Sequence, residues 1–158
     1  MVDDLAVRVE ELTRRVQRLE DERAVVDLLT RYGFGVDSDE ADGTAAMYAE
    51  GCTVEVDGTT SMRSRDDVAA MVRGRGHQSI LPRCAHQMGP FSVRVDGDTA
   101  TATGYGRVYL RSDDGFEVWR VSAGRWELRR RGEGWEVAHR WTRSIGTADA
   151  QRLLREGL

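Results

Sequence analysis

The stretch HQMGPFSVRVDGDTATATGYGRVYLRSDDGFEVWRVSAGRWELRRRGEGWEVAHRWTR, residues 86–143, decides how this chain folds. Apolar and polar residues alternate along it, and turn-forming clusters interrupt it at DGD 96–98, SDDG 112–115 and RGEG 131–134. A period of two sends successive side chains to opposite faces of a strand, so the pattern predicts a four-strand antiparallel meander. Its strands run beyond ten residues, and Gly104, Gly106 and Gly124 inside them are read as points where bends or bulges let the sheet curl. Pro90 marks a bulge near the start. In the last strand Trp135, Val137, His139, Trp141 and Arg143 share one face, and Glu136, Ala138, Arg140 and Thr142 the other. The aromatic face is expected to be the buried one, which would take Arg143 inside with it.

Upstream the period changes to that of a helix. Leu5, Val9, Leu12, Val16 and Leu19 recur at alternating steps of four and three, the narrow seam of a helix that packs on another helix. After Glu20 the apolar positions widen to Ala24, Val25, Leu28, Leu29 and Tyr32, a stripe suited to a globular core. This predicts a helical arm over residues 1–20, then a second helix, or a bend in one long helix, to about residue 36. Gly33, Gly35 and the following SDEADG predict that the helix ends there. Thr44 is read as the cap of a short helix through Tyr48, and CTVEVDGTTSMR as two short strands around an Asp57-Gly58 hairpin turn. Ser64, with Asp66 and Asp67 behind it, caps a helix to about Gly74. Helices first and a long curled sheet last give an α+β fold, one domain over residues 1–158, in which N-terminal helices cover the concave face of a cone.

Composition narrows the function. Hydrophobic residues make up 40% and charged residues 32%, a globular balance. A net charge of −4 argues against nucleic acid as the partner, because neutralising phosphates needs a basic field. The basic residues are all arginine, so a lysine Schiff-base mechanism is excluded. Two cysteines are too few for a secreted disulfide framework. The opening MVDDLAVRVEEL is acidic and amphipathic where a signal peptide needs a basic start, and no apolar run is long enough to span a bilayer. The expectation is a cytoplasmic protein with no membrane partner.

Three histidines, His77, His86 and His139, are the scarce chemical resource. No two of them lie two to four residues apart, so no metal is expected. A histidine picked singly is more often a hydrogen-bonded core or surface residue than a catalyst. His86 opens the first long strand, where a side chain turned inward would project from the wall of the cone into its mouth; the bulge at Pro90 leaves that facing undecided by counting. An imidazole is a base near neutrality, the property needed to take a proton from carbon beside a carbonyl.

LLTRYGFGVDSDE, the strand pair and helix after it, AHQMGPFSV and the terminal GWEVAHRWTR together resemble the SnoaL-like branch of the nuclear transport factor 2-like superfamily. The resemblance covers nearly the whole chain. Its closest patterns are eliminating enzymes: bile-acid 7α-dehydratase, scytalone dehydratase and hexachlorocyclohexane dehydrochlorinase. It implies a cofactor-independent lyase of the dehydratase kind acting on a small hydrophobic carbonyl compound. His86 would be the base, Asp37 the carboxylate orienting it, Tyr32 a donor to a developing oxyanion, and Arg143 a holder of an anionic or thioester oxygen. Leu29, Trp119, His139 and Trp141 would line the substrate pocket. Trp119 and Trp126 lie where scytalone dehydratase has a second pocket histidine. A noncatalytic binding or assembly protein of the same fold, and an isomerase or polyketide-cyclase type of enzyme, are the alternatives. The exposed seam and sheet face predict a homo-oligomer, a trimer by resemblance and otherwise a dimer. Tyr32 and Asp37 are about 140° apart on an ideal helix, so a helix distorted near Gly33–Gly35 is expected if both reach one pocket.

Overall fold

Period-two alternation does produce the long strands, and the computed structural model describes residues 2–158. The helices are α1 (Val2–Asp37), α2 (Ala41–Ala45), α3 (Arg65–Arg73), α4 (Arg75–Gln78) and α5 (Ala148–Glu156). The strands are β1 (Tyr48–Val56), β2 (Thr59–Met62), β3 (Cys84–Asp96), β4 (Thr99–Ser112), β5 (Gly115–Arg131) and β6 (Gly134–Ser144). All six form one curved, unclosed sheet in the order β2-β1-β6-β5-β4-β3, parallel only between β1 and β6. The turns lie where the sequence placed them: Asp57 and Gly58 both have positive φ, as do Gly97, Gly115 and Gly132.

The helices differ from expectation at three places. The arm and the core stripe are one continuous α1, which ends at Asp37 close to the expected end but runs unbroken through Gly33 and Gly35. Gly33 and Gly35 are contact points instead. A Cβ on Gly33 would stand 2.3 Å from the His86 carbonyl oxygen, and one on Gly35 would stand 2.4 Å from Thr44 Oγ1. Their missing side chains bring α1 hard against β3 and α2. Thr44 is therefore a buried member of α2 and not its cap, and Tyr48 already belongs to β1. Ser64 accepts the Asp67 backbone N–H as expected, and α3 stops at Gly74. The third difference is α5, capped by Thr147 through the Ala150 N–H. It lays Leu153 and Leu154 on Ala123 and Trp141, covering outer sheet surface that the sequence reading left for another subunit.

Bulges in the long strands shape the sheet, and none is at Gly104, Gly106 or Gly124. Gly104 and Gly124 are paired in register, and their bare backbones make room for the rings of Phe91 and Trp126. The bulges fall at Gly89-Pro90 in β3, at Trp119 in β5 and at Ala138 in β6, each adding one residue against its partner strand. The Ala138 bulge reverses the facing of everything after it. Trp135 and Val137 point into the core as predicted, but beyond the bulge Arg140 and Thr142 point inward, while His139, Trp141 and Arg143 turn to the outer face.

Burial of α1 begins at Asp21, which is 5% exposed, whereas residues 4–20 are exposed throughout. Asp21 takes two bonds of 3.0 Å from Arg130 and one of 3.3 Å from Trp135 Nε1, tying the helix to β5 and β6. The Arg130 bonds hold its carboxyl below the ordinary value in spite of burial. A carboxyl depressed in the folded state contributes stability above the ordinary carboxylate range, and that contribution is lost as pH falls through the lowered value. Asp21→Asn is accordingly expected to lower the melting temperature at neutral pH and to flatten its fall below about pH 4. Thermal scans of both proteins across acid pH check this.

Candidate active site

A cavity of about 240 Å³ opens between α1, the inner face of the sheet and α3. Larger clefts lie elsewhere on the surface, but His86 and Tyr32 both face this one. Val54, Val56, Met62, Met71, Met88 and Trp126 give it apolar walls. Gly106 on β4 also lines it, and its bare backbone leaves room that a side chain there would take up. Trp126 packs edge-on to Phe91 at 5.3 Å and forms part of the wall without closing the space.

The two groups on which the chemical reading depends do meet. His86 Nδ1 lies 2.6 Å from Asp37 Oδ1, the His86 backbone N–H donates to Oδ2 at 2.7 Å, and Cys84 Sγ donates to Oδ1 at 3.4 Å. A carboxylate only accepts, so Nδ1 carries the proton and Nε2 is left with its lone pair. Burial by itself would raise Asp37, but the bonds from the His86 ring and backbone outweigh it and hold the carboxyl below its usual value. Burial and the adjacent Asp37 push the Cys84 thiol up to about 11, so it remains a donor. Asp37 ends α1, at the negative end of the helix dipole. His77 Nε2 donates to the Val36 carbonyl at 2.6 Å, and its ring lies 5.7 Å from that of His86.

Tyr32 reaches the same cavity without any distortion of α1. Asp37 approaches His86 from behind, through Nδ1, while Tyr32 faces the cavity itself, so the two need not share a helix face. Asp37, Cys84 and His86 also offer metal-ligand atoms within 4.8 Å of one another. In this arrangement those atoms satisfy each other by hydrogen bonds and the thiol keeps its proton. The Cys84-Ala85-His86 spacing, which puts 84 and 86 on one side of a strand, was the signal in the sequence for this grouping.

The other expected site residues divide. Trp119, the bulged residue of β5, lines the cavity mouth. Leu29 is buried in the core and does not reach the cavity. Arg143, His139 and Trp141 are corrections, all carried outward by the Ala138 bulge. Arg143 pairs with Glu55 and lies 3.8 Å from Asp149, His139 Nδ1 bonds Thr53 Oγ1 at 2.8 Å, and Trp141 packs under α5. Arg140 takes the inward place that the reading had given to Arg143. Its guanidinium stands 4.5 Å over the Tyr32 ring and 5.4 Å from that of Trp126, and donates to the Tyr48 hydroxyl at 3.2 Å.

Residues 17–141 match the model of the SnoaL-like domain. The chain belongs to the SnoaL-like family. This family member is 36% identical to an NTF2-like protein with a cystatin-like fold from Novosphingobium aromaticivorans, with a TM-score of 0.85 over 90% of this chain and 94% of that one. A proposed scytalone dehydratase from the same organism is similar in fold, at 17% identity, TM-score 0.69 and coverage of 85% and 91%. So is a Catenulispora acidiphila protein solved in complex with S-DNPA, at 16% identity, TM-score 0.67 and coverage of 84% and 96%. No curated protein matches this SnoaL-like chain. None of its described helices is long and apolar enough to cross a membrane.

Proposed function

We propose that this protein is a cofactor-independent lyase that eliminates water, or a comparable leaving group, from a small hydrophobic carbonyl compound. The observation that carries the reading is the 2.6 Å contact between Asp37 and His86 Nδ1, which leaves Nε2 as the basic nitrogen on the cavity side. Nε2 takes the proton from the carbon beside the carbonyl, and Asp37 stabilises the imidazolium. The electron pair passes onto the carbonyl oxygen, toward which Tyr32 on the cavity wall is the donor. Collapse of that enolate forms the carbon–carbon double bond and breaks the bond to the leaving oxygen. The imidazolium returns its proton to that oxygen, and water departs. The dehydratase proposal made for one fold neighbour and the S-DNPA complex of another are in keeping with this chemistry.

The test is a panel of cyclic ketones and β-hydroxy ketones in deuterated buffer. Deuterium uptake beside the carbonyl, together with appearance of the conjugated enone, identifies elimination. Uptake without enone identifies an isomerase-like relative. Saturable binding with neither would leave a noncatalytic binding protein.

A further inference from the structure

We propose that the ligand of this cavity is an organic monoanion, an apolar ring or chain bearing one carboxylate, and that Arg140 binds that carboxylate. The inference deepens the lyase reading, since it takes the same cavity as the reaction chamber. Arg107, Arg120 and Arg140 line the cavity together with His86, and among the described residues no aspartate or glutamate does. In a protein with a net charge of −4, this cationic lining is local and not a reflection of composition.

The three guanidiniums are not equivalent. Arg120 is neutralised by Asp57 at 2.9 Å. Arg107 donates to the Gly89 carbonyl at 3.1 Å and lies 5.7 Å from the half-exposed Tyr105 ring. Arg140 has no carboxylate partner among the described residues, and its Nε is buried with no hydrogen-bond partner at all. Arg65 and Arg129 pair with Glu136, Arg130 with Asp21 and Arg143 with Glu55, whereas Arg107 and Arg140 have no carboxylate partner among the described residues. A guanidinium is rarely taken out of water unless a counter-charge meets it. The Tyr32 and Trp126 rings supply part of that compensation and leave the hydrogen-bonding edge without an anion. A carboxylate matches that edge in charge and in its two-oxygen geometry. Arg107 spends a donor on the Gly89 carbonyl, so Arg140 is the guanidinium whose edge stays open, and that edge matches the two oxygens of a single carboxylate. The volume, below the range of about 300–1,000 Å³ usual for ligand pockets, restricts the apolar part to about one or two rings. Met62, Met71 and Met88 can adapt to its outline.

The test uses the full chain with naphthoate and its neutral isostere naphthamide, followed by calorimetry and by quenching of tryptophan fluorescence. The acid is expected to bind about ten to a hundred times more tightly than the amide at neutral pH. Arg140→Met should abolish that ratio, Arg140→Lys should keep part of it, and Arg94→Met, an exposed arginine outside the cavity, should retain it. An amide that binds wild type as well as the acid, or a ratio that survives Arg140→Met, overturns the proposal. The wild-type comparison decides even if the Arg140 variants fail to fold. Acid preference without any proton exchange would leave the anion site standing and remove the lyase reading, so the two fail separately.

We also infer, from the arm, that residues 5–20 of α1 pair in parallel with the same segment of a second copy. Leu5, Val9, Leu12, Val16 and Leu19 are between 52% and 65% exposed, a continuous apolar seam with nothing on it. Valine recurs at one seam position and leucine at the other, the combination that favours two parallel strands. In that register Arg15 faces Glu20 of the second copy, once on each side of the seam. The helix is already extended from the folded body, so the cost of nucleating it is met before association. This assigns a dimer where family resemblance suggested a trimer. Light scattering should give a dimer for the full chain and a monomer for Leu12→Glu, with naphthoate binding unchanged. A wild-type monomer or trimer, or a Leu12→Glu dimer, overturns it.

Discussion

His86→Gln is expected to lower the rate of proton removal from a bound carbonyl compound by about 10² to 10⁴, the usual contribution of a positioned general base. Binding of naphthoate should be unaffected, because the substitution leaves the apolar walls and Arg140 in place. Asp37→Asn should come close to the same loss for a different reason. The Asp37 carboxylate accepts from the His86 ring, from the His86 backbone and from the Cys84 thiol. An amide has one accepting oxygen, and its NH₂ would face a donor wherever it is placed. The ring would lose its fixed tautomer and the counter-charge for its imidazolium. Single-turnover deuterium exchange with a responsive ketone compares the three proteins. Unchanged exchange in His86→Gln would remove this histidine as the base.

Gly33→Ala is expected to be the most damaging single methyl group that could be added to α1. The new carbon would lie 2.3 Å from the His86 carbonyl oxygen, a backbone atom held in the β3–β4 ladder. Neither side can yield by a rotamer change, so the helix and strand must separate. Overpacking of this kind costs about 1–3 kcal/mol or more, well above the slight gain in helix propensity from glycine to alanine. For a chain of this length a loss of about 3 kcal/mol corresponds to a melting temperature lower by about 6–12 °C. Separation would also pull Asp37 from His86, so exchange activity should fall with stability. Gly43→Ala, whose added carbon would come no closer than 3.8 Å to its nearest neighbour, is the control and should do little. Thermal unfolding of both variants decides.

Periodicity made most of the fold legible. The meander, its turns, the Asp57-Gly58 hairpin and the Ser64 cap all follow from local rules that tertiary packing did not overrule. Failures came where a local rule had two physical outcomes. Gly33 and Gly35 allow either a helix end or a close approach, and only the facing residues, His86 and Thr44, decide between them. Facing in β6 depended on a bulge at Ala138, which carries no glycine or proline to announce it. Counting by twos across it exchanged Arg140 for Arg143 and moved His139 and Trp141 to the wrong side. Tyr32, Asp37 and His86 came from the family resemblance and not from a count along a strand, so the bulge at Ala138 did not bear on them. The C-terminal helix had its own signals, Thr147 ahead of Asp149 with Ala150, Leu153 and Leu154 behind, but the segment is too short for its period to stand out.

The most direct test of the Asp37–His86 arrangement is the imidazole nitrogen NMR spectrum of His86 in the neutral ring, assigned by comparison with His86→Gln. The proton should reside on Nδ1, with Nε2 bare, and Asp37→Asn should disturb that assignment. A proton found on Nε2 in the wild-type protein would contradict the account, because the nitrogen facing the cavity would then have no lone pair with which to act.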